Sequence, residues 1–148
     1  MRHFDHDYVE EIVRRLRTLK SDAKPAWGAM SEPQMVGHLI ETMHYSIGRG
    51  PTYAIRTNWL KRHVVAPLII NGIVKIPKNI NVPRPHDATI LPVGDVETLH
   101  AVLDEYLSLV QADEVTPAPH PAFGVIGVDG WAKMHVVHFE HHLTQFGV

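Results

Sequence analysis

The chain of 148 residues contains no cysteine. That absence excludes a disulfide framework, a thiolate zinc knuckle, an iron–sulfur cluster and a cysteine nucleophile. A transition metal held by side chains must therefore rely on His, Asp or Glu. The basic residues Arg14, Arg15, Arg17 and Lys20 are interleaved with an apolar helical stripe, and no aromatic platform or groove-reading motif accompanies them, so no nucleic-acid partner is expected. Long apolar runs are also missing. The longest, residues 64–76, is broken by Pro67, Asn71, Gly72 and Lys75 and falls far short of a bilayer span. The first seven residues, MRHFDHD, lack the apolar segment of a signal peptide, so a cytoplasmic location without a membrane partner is expected. There is no useful period-2 alternation, internal repeat or low-complexity tract.

What the chain has in excess is histidine: 12 residues, roughly twice an even share among twenty residue types. The 45% apolar and 20% charged fractions fit a soluble globular protein, and the length predicts a single domain over 1–148. The formal net charge of −2 conceals an asymmetry. Residues 1–84 hold 13 Lys and Arg against 7 Asp and Glu, whereas residues 85–148 hold 1 against 9. Two halves of opposite sign should attract when they fold together or meet a partner chain.

The 11 prolines leave four long proline-free windows. The first, about 4–20, sets Phe4, Tyr8, Val9, Ile12, Val13, Leu16 and Leu19 at helical spacing. The second opens at Ser31, a good N-cap, with Gln34 placed to complete a capping box and Pro33 in the first turn. It runs through Met35, His38, Leu39, Thr42 and Tyr45 to Gly48 and Gly50. The third, about 95–112, begins at Asp95, and the fourth, about 129–146, begins near Asp129. Residues 51–93 are too many for a bare loop. Residues 58–70 are read as one or two short helices around Pro67, and residues 75–92 as an extended surface segment. Four long helices with one long crossover between the second and third predict an all-α four-helix bundle.

The last helix carries His135, His138, His141 and His142. His138 and His142 lie one turn and about 40° apart, so two neutral imidazoles there can share one divalent ion. The spacing alone is weak, since about one such pair is expected by chance among 12 histidines in this length. Their face also carries Trp131, a residue that ought to be buried. His38 lies between Met35 and Leu39 on the inward face of its own helix. Three histidines on two helices would leave coordination positions open, as catalytic sites do. The plain alternative is that His38 and His138 are hydrogen-bonded core histidines and that His141 and His142 lie on a wet face. His135 competes as a ligand, although about 10.5 Å of rise separates it from His142. Glu41 and Gln145 are candidates to orient a ligand or take a proton. His3, His6, His63, His86, His100 and His120 show no convergent spacing and are read as surface residues.

Three stretches carry a family resemblance: residues 27–39 (WGAMSEPQMVGHL), 120–124 (HPAFG) and 138–147 (HFEHHLTQFG). Together they resemble a bacterial subgroup of unknown function within the DinB-like superfamily, over nearly the whole chain. The resemblance implies a four-helix bundle with a right-handed crossover and a metal held by His38, His138 and His142. Related families include metal-assisted thiol transferases that use glutathione, mycothiol or bacillithiol, often as homodimers. Here Leu143 and Thr144 stand where a basic residue and a glycine commonly precede the glutamine, which separates this chain from many members.

The leading expectation is thus a metal-dependent enzyme, a homodimer transferring a low-molecular-weight thiol to a small-molecule substrate. Zinc or nickel suits an all-imidazole site best, with iron(II) third. Two alternatives are a helical dimerisation or binding module with a structural or absent metal, and a metal-dependent hydrolase with Glu41 as base.

Overall fold

A computed structural model describes residues 1–80 and 90–148. The described residues are all-helical, with five α-helices, one π-helical turn and no strand. None of these helices is long and apolar enough to cross a membrane.

Helix α1, His6–Leu16, is capped by Asp5, whose carboxylate accepts from the Tyr8 amide at 3.0 Å. It buries the expected stripe of Tyr8, Val9, Ile12, Val13 and Leu16. It ends earlier than the apolar spacing suggests. The Thr18 amide and hydroxyl both donate to the Arg15 carbonyl, at 3.1 and 2.7 Å, tightening the chain out of the helix. Leu19 still packs on the core from the turn.

Helix α2, Glu32–Ser46, starts with the expected capping box: Ser31 Oγ accepts from the Gln34 amide, and Gln34 Oε1 accepts from the Ser31 amide. Helix α4, Val96–Gln111, is capped by Asp95, which accepts from the Thr98 amide at 2.8 Å. Helix α5, Gly127–Phe146, begins two residues before Asp129 and has no side-chain cap. It closes on Gly147 in the left-handed region, φ 75°. Between α2 and α4, a π-helical turn, Lys61–Val65, runs into the short helix α3, Ala66–Ile70, with Pro67 in its first turn. Residues 81–89, including His86, lie outside the described residues, so the extended reading of 75–92 is only partly addressed.

Helices α1 and α2 each pack against both α4 and α5. Their inward faces form one core, in which Val9, Ile12, Met35, Leu39, Leu99, Leu103, Phe139 and Leu143 are buried. A second apolar cluster lies between α3 and α5 and joins Tyr45, Ile69, Ile70, Phe123, Trp131 and Met134. The chain returning towards α4 crosses α2 at backbone contact. A Cβ on Gly37 would stand 2.4 Å from the Pro92 carbonyl oxygen, so no larger residue fits there without displacing the crossing segment. The Gly94 amide donates to the Pro33 carbonyl at 2.9 Å and fixes that crossing beside the start of α2. Since His38 follows Gly37, the close approach stands next to the first of the three site histidines.

Candidate metal centre

Helix α2 contributes His38, and α5 contributes His138 and His142. The Nε2 atom of His138 lies 3.0 Å from His38 Nε2 and 3.1 Å from His142 Nε2. The three ligand-capable nitrogens all fall within 4.8 Å of one another. The i, i+4 spacing supplies the α5 pair, and the packing of α2 on α5 brings in the third ring.

Burial governs the charge state. It pushes His142 down to about 3, reinforced by His38 and opposed by the hydrogen bond to Gln145. Burial also holds His138 well below the ordinary histidine range, with His142 and His38 adding to the effect. These two rings are therefore neutral at pH 7 and present lone pairs instead of repelling a cation.

The orientation of His142 comes from beyond the triad. Its Nδ1–H donates to Gln145 Oε1 at 2.7 Å, and Gln145 Nε2 donates to the Trp27 carbonyl at 2.8 Å. The second bond decides which end of the amide faces His142, and so leaves His142 Nε2 bare. The loop before α2 is tied to the same residue, since the Ala26 amide donates to the Gln145 carbonyl at 2.7 Å. Gly28, at φ 80°, passes so near that a Cβ there would meet Gln145 Nε2 at 3.0 Å.

The donor set fits a divalent ion. Nitrogens about 2.0–2.1 Å from a tetrahedral centre stand about 3.3 Å apart, a few tenths of an ångström more than the two separations from His138, and the His38–His142 pair lies within 4.8 Å. Without a cation, His138 Nε2–H can be donated to only one of its two neighbours. If the proton is instead on Nδ1, it lies on a buried atom with no hydrogen-bond partner among the described residues. A cation relieves the opposed lone pairs in either case.

The triad lines a cavity of about 700 Å³, within the range of small-molecule sites. Its other walls include Trp27, Tyr45, Tyr53, Phe123 and Trp131. Among the described residues, no Asp, Glu, Lys or Arg lines it.

The remaining candidates separate by position. His135 is fully buried, touches the cavity beside the triad and helps to hold the His138 pKa down, but its own hydrogen bond goes elsewhere. The Ser46 hydroxyl donates to the Met43 carbonyl and accepts from His135 Nε2–H at 3.0 Å. Phe4, Tyr106 and Trp131 pack around its ring, so it is a core histidine. His141 lines the cavity edge-on to Trp27, with ring centroids 5.6 Å apart. Glu41 accepts from the Tyr53 hydroxyl at 2.9 Å and does not line the cavity. His3, His6 and His63 are exposed as expected, and His100 bonds Glu10 at 2.9 Å.

His120 corrects the sequence reading. It is not a surface residue, but lines the cavity, stacked on Phe123 at 4.4 Å and packed against Trp131. Periodicity missed it because it stands in a turn, where helical spacing has no meaning. The available signal was the HPAFG string itself, a histidine followed by turn-forming residues and an aromatic.

Fold and site together define an all-helical protein with a three-histidine cluster at the wall of an apolar cavity. The chain matches the family described as a protein of unknown function (DUF1569) over residues 1–147, and belongs to that family. No curated protein and no solved structure matches it.

Proposed function

We propose that this protein is a metal-dependent enzyme of the DinB-like superfamily, a single-domain four-helix bundle in which His38, His138 and His142 hold a divalent ion. The proposed reaction is transfer of a low-molecular-weight thiol to a small electrophile. The observation that carries this reading is the convergence of three Nε2 atoms from two helices at the wall of a cavity. Three protein ligands are the number catalytic sites use when they retain an open position. When bound, such an ion lowers the pKa of a coordinated thiol or water and presents the anion as nucleophile.

The chain's own residues account for the rest. Gln145 orients His142, and burial keeps His138 and His142 neutral. Among the described residues no side chain in the cavity is charged, so beyond the ion itself nothing there would offset a charge on the electrophile, which favours an uncharged one. The chain has no cysteine, so the thiol must come from a cofactor. Thiol transfer is preferred to hydrolysis because Glu41, the candidate base, bonds Tyr53 and stands off the cavity wall. The proposal takes the protein as a cytoplasmic homodimer acting without nucleic acid or membrane.

Elemental analysis of the purified protein beside the triple variant His38→Ala, His138→Ala, His142→Ala tests the ligand set. Zinc, nickel or iron near one equivalent, lost in the variant, is expected; equal metal content in both overturns the assignment. Thiol consumption by the metal-loaded protein with epoxides, halides and quinones tests the reaction, and none across the panel refutes thiol transfer.

A further inference from the structure

His120 is held more tightly than a loop residue needs to be. Its backbone amide donates to the Gly124 carbonyl and its carbonyl accepts from the Gly124 amide, both at 2.8 Å, closing the 120–124 turn. The Arg56 amide donates to Pro121 from outside, at 2.7 Å. Inside the turn, His120 Nδ1 accepts from the Ala122 and Phe123 amides, each at 3.2 Å. A nitrogen that accepts from two amides carries no proton, so the ring proton of neutral His120 is on Nε2. Burial pushes the pKa of this ring down to about 4, so the neutral form prevails at pH 7. Among the described residues, no protein group accepts from that Nε2–H. Stacking on Phe123 and packing against Trp131 fix the plane of the ring, and the Trp131 indole is itself anchored to the Ala118 carbonyl at 2.7 Å.

We propose that His120 anchors the substrate: its Nε2–H donates to a carbonyl-type oxygen of an uncharged, largely apolar molecule seated against the Phe123 and Trp131 wall. The chemical class follows from the surroundings. A neutral imidazole with its proton on Nε2 is a donor, so its ligand presents an acceptor. The cavity surface is mostly aromatic and aliphatic, with polar groups at Thr42, Asn79 and Gln145 beside the histidines and no charged side chain among its described residues, so most of the remainder of the ligand is apolar. Because the donor is pre-oriented, little conformational entropy is lost when the bond forms. The inference rests on the reading of this cavity as a substrate site, but not on the metal.

The test uses metal-free protein and two probes of similar shape, acetophenone and ethylbenzene, which differ in the carbonyl. Imidazole ¹⁵N spectra of the free protein are expected to show His120 with a protonated Nε2 and a bare Nδ1. Acetophenone should shift the Nε2–H resonance, whereas ethylbenzene should perturb Phe123 and Trp131 while leaving it in place. In His120→Asn the side-chain oxygen replaces Nδ1 as acceptor in the turn, but no donor reaches the Nε2 position. The affinity for acetophenone relative to ethylbenzene should then fall about three- to tenfold, the range of one neutral hydrogen bond. A proton on Nδ1, an unchanged ratio in the variant, or failure of both probes to enter the cavity each overturns the inference. The spectra require no variant to fold. Failure here leaves metal uptake intact, and failure of metal uptake leaves the probe ratio intact, so the two readings fail separately.

Discussion

Replacing Gln145 by Met is the most informative perturbation of the centre, because Gln145 touches the triad without being a ligand. The side chain is 4% exposed, so neither of its hydrogen bonds is replaced by bulk water. Methionine matches its length and removes the acceptor at 2.7 Å from His142 Nδ1 and the donor at 2.8 Å to the Trp27 carbonyl. Leaving His142 Nδ1–H buried and unsatisfied costs about 1–3 kcal/mol. The ring can escape by moving its proton to Nε2, where it occupies the lone pair an ion needs. Loss of such an outer partner typically lowers metal affinity about 10- to 100-fold, or about 1.4–2.8 kcal/mol. Competition titration of zinc against a chromophoric chelator measures this, and ¹⁵N imidazole spectra of the metal-free variant report where the His142 proton resides. Gln145→Glu retains an acceptor for Nδ1–H but sets a buried carboxylate oxygen against the Trp27 carbonyl, so its zinc affinity should fall less than that of the methionine variant. Zinc affinity within twofold of the parent in the methionine variant would refute the argument that Gln145 prepares His142.

Other consequences can be measured alongside. His135→Ala should leave metal content unchanged while lowering the denaturation midpoint, since His135 fills the space among Phe4, Tyr106 and Trp131; metal loss would return it to the ligand set. Burial depresses His135 to about 3 in the folded state, against 6.5 as its ordinary value. The unfolded chain therefore binds the proton first, so the stability is fully present above about pH 6.5 and is lost as pH falls towards 3. This one residue removes on the order of 4 kcal/mol, and a metal-free stability that is flat over that window contradicts its burial as a neutral ring. Gly37→Ala should destabilise by about 1–3 kcal/mol or more, because the new Cβ meets the Pro92 carbonyl at 2.4 Å; an unchanged urea midpoint would show that the crossing segment yields freely. Light scattering of the purified chain checks the proposed homodimer, and a monomeric mass at working concentration refutes it.

Much of the helical framework can be read from local rules. The capping box of Ser31 with Gln34 forms as the spacing predicts, and Asp95 caps α4 as expected, accepting from the Thr98 amide. The buried stripes of α1 and α4 follow the 3.6-residue period. Errors occur where the determinant is not periodic. The early end of α1 depends on Thr18 competing for the Arg15 carbonyl. The π-helical turn before α3 and the uncapped start of α5 have no compositional mark.

The sequence by itself determined which donors exist. An absence of cysteine with a surplus of histidine, two of them one helical turn apart, makes imidazole the most plentiful nitrogen ligand for a transition metal before any coordinate is known. Tertiary structure alone decided which histidines come together. Packing of α2 on α5 brings His38 within 3.0 Å of His138, burial keeps His138 and His142 neutral, and the Gln145 bond bares His142 Nε2. It also buried His135 between the core and the cavity and set His120 on the cavity wall. The physical reason is the range of the forces involved. Helix periodicity and capping act over three or four residues, whereas convergence of side chains and loss of solvent depend on segments about a hundred residues apart along the chain.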